Sequence, residues 1–248
     1  MRPGSGRESE AAPGEHQAFA TGDRARRPEP TFDDARPPEL RFAIEKAEAV
    51  DFAAVPTVRF ALRIDGAGAT PIRCVALDTQ IRIAAARRRY DPPTRRRLTE
   101  LFGATEEWGR TSRSLLWARV VTQVPGFDGG TVTSIDVSCT YDFEVAVAKY
   151  FHTLPDGEVP LDFLFSGTIF YADAGLLRVA RIPWDTDAAF RMPVQVWKGV
   201  MDHYFPRSAW LRLDREAFDR LYDYKVRHTL TTWEDVVGKL LASEPGGG

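Results

Sequence analysis

Apolar residues recur at every second position over most of this chain, and that alternation limits what it can fold into. Leu40, Phe42 and Ile44 share one parity, and Val58, Phe60, Leu62 and Ile64 repeat the pattern with Arg59 and Arg63 opposite. Successive side chains of a strand point to opposite faces, so this spacing predicts half-buried antiparallel strands. Asp65-Gly66-Ala67-Gly68 supplies a turn into a third strand, Ile72 to about Ala86, with Val75, Leu77, Ile81 and Ile83 in register. Asp91-Pro92-Pro93-Thr94 then breaks the strand and caps a short helix running to about Phe102. Leu115 to Val124 reads as a further strand. The longest alternation runs from Thr131 to Val147, with Ile135, Val137, Cys139, Tyr141, Phe143 and Val145 on one side and Asp136, Ser138, Thr140, Asp142 and Glu144 on the other. Val159 to Ala172 is apolar on both parities, as expected of a central strand, and Asp173-Ala174-Gly175 turns it into Leu176–Ile182, stopped by Pro183.

After Pro183 the period changes. Val194, Trp197, Met201 and Tyr204 fall at helical spacing. A second helix is expected from an Asp214 cap through Phe218, Leu221, Tyr222 and Val226. A third starts at Thr231 with Glu234 completing a capping box, and is expected to bury Trp233, Val236, Val237, Leu240 and Leu241. Strands first and helices last, without βα alternation, give an α+β, mainly β class: an antiparallel sandwich or curled sheet of about seven strands with a C-terminal layer of about three helices. The globular domain is expected over 40–242, its helical part over about 190–242. Residues 1–39 hold six of the 17 prolines and only Phe19 and Phe32 as large apolar anchors, so they read as a disordered tail; 243–248 read as a flexible end.

Composition excludes several function classes. The formal net charge is −2 and the pI about 6.1, which gives no global attraction to nucleic acid or anionic lipid. No apolar run has the length of a membrane helix, and no h-region follows Met1-Arg2-Pro3-Gly4, so a cytoplasmic location is expected. Cys74 and Cys139 are too few and too far apart for a disulfide framework or a zinc knuckle, and Cys139 lies on the apolar parity of its strand.

Charge is polarised along the chain. Arg82 to Arg119 carries ten arginines against four acids, and Val120 to Phe190 carries ten acids against three bases. The candidate partner-binding surface is therefore Arg87, Arg88, Arg89, Arg95, Arg96 and Arg97, because arginine forks match paired carboxylate or phosphate oxygens. Trp184 and Trp210 flank the switch from strands to helices and are candidates for a cleft between sheet and helices. Asp142 and Glu144 share a parity and His152 follows, which makes them weak candidates for a metal or an acid–base pair, although no H-x-x-x-H or C-x-x-C spacing accompanies them. No catalytic set and no cofactor are implied.

Three stretches carry a resemblance: Tyr141 to Phe151, Leu164 to Tyr171, and Pro193 to Pro206 around Val196-Trp197-Lys198 and Met201-Asp202-His203. With them, residues from Leu40 to about Leu241 resemble a family of uncharacterised actinobacterial proteins encoded near nickel–iron hydrogenase genes. The resemblance implies an accessory role toward that enzyme, with a hydrogenase subunit or maturation factor as partner. The expectation is a non-catalytic interaction protein; the alternative is a small-molecule- or lipid-binding domain, or a hydrolase, that uses the sheet–helix cleft. Oligomeric state stays open.

Overall fold

Strands β1 (Glu39–Ala49) and β2 (Thr57–Ala67) pair antiparallel from Glu39↔Ala67 to Ala49↔Val58, and β5 (Gly130–Ser138) adds to the far edge of β2. The computed structural model describes residues 37–67, 70–108, 114–140, 142, 145–206, 208 and 212–243. The expected tail up to residue 36 lies outside the described residues, as do 244–248.

A second antiparallel sheet has the order β4 (Leu115–Phe127), β3 (Ile72–Ile83), β6 (Glu158–Asp173), β7 (Leu176–Arg181), and β8 (Asp187–Pro193) also pairs with β6. The alternation read from the sequence explains the layering. Phe60, Leu62 and Ile64 of β2 and Leu77, Ile81, Phe163 and Phe165 of the second sheet are buried together in one core. Phe42 stacks on Phe165 at 4.5 Å, and Phe60 meets Phe163 edge-on at 5.1 Å. The mainly β, α+β class is therefore correct, with eight strands and five α-helices among the described residues.

Strand β6 is central because both of its edges are used. β3 runs along one edge, while β8 covers Glu158–Leu164 and β7 covers Thr168–Asp173 on the other. At the changeover the Phe165 N–H donates to Thr186 O (2.9 Å) and the Ile182 N–H donates to Gly167 O (3.1 Å). Gly167 has φ +138°, and a Cβ there would overlap the Ala76 carbonyl oxygen, so only glycine fits.

The structure corrects two readings of the alternation. The strand expected over Thr131–Val147 ends at Ser138, and residues 146–153 form a helix instead. Val147, Ala148, Tyr150 and Phe151 are buried there at helical spacing, a signal hidden because residues 141–147 also alternate. Strand β8 follows Pro183, which is a break between strands rather than their end; Ala188, Phe190 and Met192 are its less exposed parity.

Three helices close one end of the sandwich: α1 (Pro92–Phe102), α2 (Ala146–Thr153) and α3 (Val194–Tyr204). Asp91 caps α1 by accepting the Thr94 N–H at 2.7 Å, with proline in the first turn, as its sequence predicts. Two further helices follow, α4 (Arg215–Arg227) and α5 (Trp233–Ala242). The expected Asp214 cap is present, its carboxylate accepting the Ala217 N–H at 2.7 Å. The capping box of α5 sits one residue later than expected: Thr232 Oγ1 accepts the Asp235 N–H, and Asp235 accepts the Thr232 N–H, each at 3.1 Å. Of the residues expected to be buried in α5, only Val236 is.

Candidate functional site

The basic segment meets the fold at the helical end, and the structure divides its arginines into two groups. Arg87 and Arg88 are held internally. Arg87 makes a bidentate pair with Asp162 of β6 (2.7 and 2.8 Å), and Arg88 donates to Glu158 O (2.6 Å) and Asp156 O (2.5 Å). Together they pin the 3-10 turn Ala85–Arg87 to the start of β6. Part of the opposite charge found in the sequence thus pairs within the fold.

Arg89, Arg95, Arg96 and Arg97 are exposed and form no ion pair among the described residues. α1 buries Thr94, Leu98 and Phe102, so residues 95–97 can only occupy its outward side. Arg97 lies within electrostatic reach of Asp91 and of His152 on α2, and Lys198 on α3 acts on the same histidine. Burial first, then Lys198 and Arg97, hold the His152 pKa below its ordinary value. The basic surface therefore runs from the exposed Arg95–Arg97 run of α1 to Lys198 of α3, with His152 of α2 lying between Arg97 and Lys198 and held toward its neutral form. A small hollow of about 310 Å³ opens beside it, lined by His152, Trp197, Lys198, Met201 and Asp202. His152 and Lys198, at positions outside the arginine runs, join this surface only through the packing of α2 and α3.

Beneath that face aromatic rings join the helices to the sheets. Trp117 of β4 meets Phe151 at 5.1 Å, and Phe151 stacks on Trp197 at 5.2 Å. The Tyr90 and Tyr150 hydroxyls share a hydrogen bond of 2.7 Å, and Tyr90 Oη also donates to Ala85 O at 2.7 Å. Burial drives both phenol pKa values up, so the pair stays neutral. Trp184 does not join this interface: it projects from the β7–β8 break at 93% exposure. Trp210 lies outside the described residues.

Asp142 and His152 are described and Glu144 is not; among the described residues no group of three His, Cys, Asp or Glu side chains comes together. The cations around His152 oppose a metal ion there. Cys139 is buried, donates weakly to Val137 O at 3.6 Å, and has its thiol pKa pushed up to about 12 by desolvation, which makes it a poor nucleophile. Among the described residues no helix is long and apolar enough to cross a membrane.

The apolar face of α5 was expected to be buried; it is open, and so is that of α4. Phe218, Tyr222 and Val226 recur every fourth residue along α4, and Trp233, Val237 and Leu241 do so along α5; all six are 40–64% exposed. The Phe218 and Trp233 rings meet at 5.4 Å, which joins the two stripes.

Residues 37–246 match the family model DUF6084, a family of unknown function. The chain belongs to this family. The match covers the strands, the basic helical end and the exposed helix pair of this DUF6084 protein. No curated protein matches the chain. Among solved structures, the CARDB domain of a Pyrococcus furiosus protein, in complex with di-metal ions, is similar at 9% identity over 62% of this chain and 91% of that one, with a TM-score of 0.26. A Bordetella pertussis protein described as ApaA gives 13% identity over 63% and 96%, with a TM-score of 0.24. β-Glucosidase 3B of Thermotoga neapolitana gives 11% identity over 62% of this chain and 17% of that one, with a TM-score of 0.23. Likenesses this slight carry nothing about function to this chain.

Proposed function

We propose that this chain is a non-catalytic interaction protein that docks an acidic protein partner on the basic face of α1, α2 and α3. The observation that supports the reading is the run Arg95-Arg96-Arg97, exposed on one helix with no ion pair among the described residues, and extended by Lys198, which acts on the same His152 as Arg97 does. Exposed guanidinium groups with no internal acceptor are available for bidentate pairing with carboxylates across an interface. The aromatic packing of Trp117, Phe151 and Trp197 between sheet and helices supports a surface rather than a cleft as the place of binding. The resemblance to actinobacterial proteins encoded near nickel–iron hydrogenase genes supports a cytoplasmic partner from that system, a hydrogenase subunit or maturation factor.

The test is affinity purification from the native host at graded salt, comparing the wild type with the Arg95→Ser/Arg96→Ser/Arg97→Ser variant. A stoichiometric partner retained at low salt, released at high salt and lost from the variant is expected. The same partner with the same salt response in both proteins overturns the surface assignment. Arg87 and Arg88 stay unchanged, because their loss would loosen β6 and confuse the readout.

A further inference from the structure

Two apolar surfaces of this chain are uncovered, and their chemistry matches. The first is the helix pair. Val236 is the one buried residue of α4 and α5 among those described, and it lies outside the main core cluster. Helices of 13 and 10 residues with so little buried are marginal by themselves in water. The second is the outer face of the second sheet. Ile169 and Tyr171 point into the core, so Phe170 between them points out. Its register neighbours continue one apolar row across four strands: Val179 on β7, Phe170 on β6, Cys74 on β3 and Pro125 on β4. Leu177 extends the patch beside Ala172, and Leu177 and Val179 are 67% and 60% exposed.

We propose that the α4–α5 stripe of each molecule packs on this sheet face of a second copy, giving a reciprocal two-fold dimer. Charge places no obstacle to a second copy of the same chain. Residues 212–243 hold six basic and six acidic side chains, so the helix pair is neutral and meets neither repulsion nor steering from another copy. Size fits as well. The exposed parts of three aromatic and three smaller aliphatic side chains amount to roughly 500 Å² per stripe, taking about 150–250 Å² for a whole aromatic residue and less for Val or Leu. Two stripes and the two sheet faces they cover then bury about 2,000 Å², at the upper end of a standard stable interface. The arrangement places helices on an open sheet face, the usual way an α+β protein completes its layers, and a two-fold exchange closes on itself without leaving either surface free.

The test uses the full chain in analytical ultracentrifugation with two exposed-site variants, Tyr222→Lys/Val237→Lys on the helices and Leu177→Lys/Val179→Lys on the sheet. The wild type is expected to sediment as a dimer at micromolar concentration and each variant as a folded monomer by circular dichroism. Mixing the two variants is expected to regenerate a dimer, because one helix–sheet contact of the pair remains intact. A monomeric wild type overturns the proposal, including one whose β7 amides are protected from exchange in a way that depends on Tyr222 and Val237, which would mean docking within one chain. A dimer broken by the helix variant but not by the sheet variant also overturns it, since the helices would then pair with helices. Retention of the basic-face partner is read separately, so failure here leaves that reading untouched.

Discussion

Replacing Gly167 with alanine probes the changeover in β6, on which the second sheet depends. The residue has φ +138°, a region L side chains rarely adopt, and a new Cβ would overlap the Ala76 carbonyl oxygen and lie 3.1 Å from its carbon and 3.3 Å from Leu77 Cα. Those atoms are backbone of the neighbouring strand β3, so no side chain can turn aside. Backbone strain of this kind costs on the order of 1–3 kcal/mol, and forcing extra volume into a packed site costs about 1–3 kcal/mol more. A loss of about 2–6 kcal/mol is expected, a large part of the 5–15 kcal/mol typical of whole domains. Gly175 is the control: its φ is +79° and nothing lies within 4 Å of a Cβ there, so alanine should cost only about 1–2 kcal/mol. Urea titration followed by tryptophan fluorescence and circular dichroism measures both. If Gly167→Ala loses no more than Gly175→Ala, the argument that β3 and β6 meet too closely for any side chain is wrong.

Four further outcomes follow from the same contacts. Thr79 is fully buried and its hydroxyl has no hydrogen-bond partner, so Thr79→Val should raise stability by about 1 kcal/mol in urea titration; a loss would reveal a partner for that oxygen. Phe151→Ala removes a ring packed on both Trp117 and Trp197 and should cost about 3–5 kcal/mol, with a change in tryptophan emission. The Asp136 carboxylate is held below its ordinary pKa by its hydrogen bond to Arg59, as Asp78 is by Arg119. A lowered folded pKa adds stability that is complete above the unfolded value and lost as pH falls through the folded one. Urea midpoints should therefore fall below about pH 4, and less steeply in Arg59→Gln/Arg119→Gln. Cys139 should resist thiol reagents at pH 8 in the folded protein and label on denaturation, checked by mass spectrometry of the labelled peptide.

Alternation by itself determined the strands β1 to β4, β6 and β7 closely, because a sheet with one wet face writes its period into the sequence at positions such as Phe60–Leu62–Ile64. Helix caps at Asp91 and Asp214 were equally legible, since capping is satisfied within three residues. The end of β5 at Ser138 was not: residues 141–147 alternate as a strand would, and what makes 146–153 helical is the burial of Tyr150 and Phe151 against Tyr90 and Trp117, which are distant in sequence. The basic candidates were found as a run of charge, but which of them are spent inside the fold depended on where Asp162 and the carbonyls of Asp156 and Glu158 come to lie. His152 and Lys198 joined the surface for the same reason. The stripes of α4 and α5 were visible as amphipathic periodicity, and periodicity records only that a face is apolar. What covers that face is a matter of tertiary and quaternary contact, because the hydrophobic effect has no direction and rewards any partner surface that excludes water.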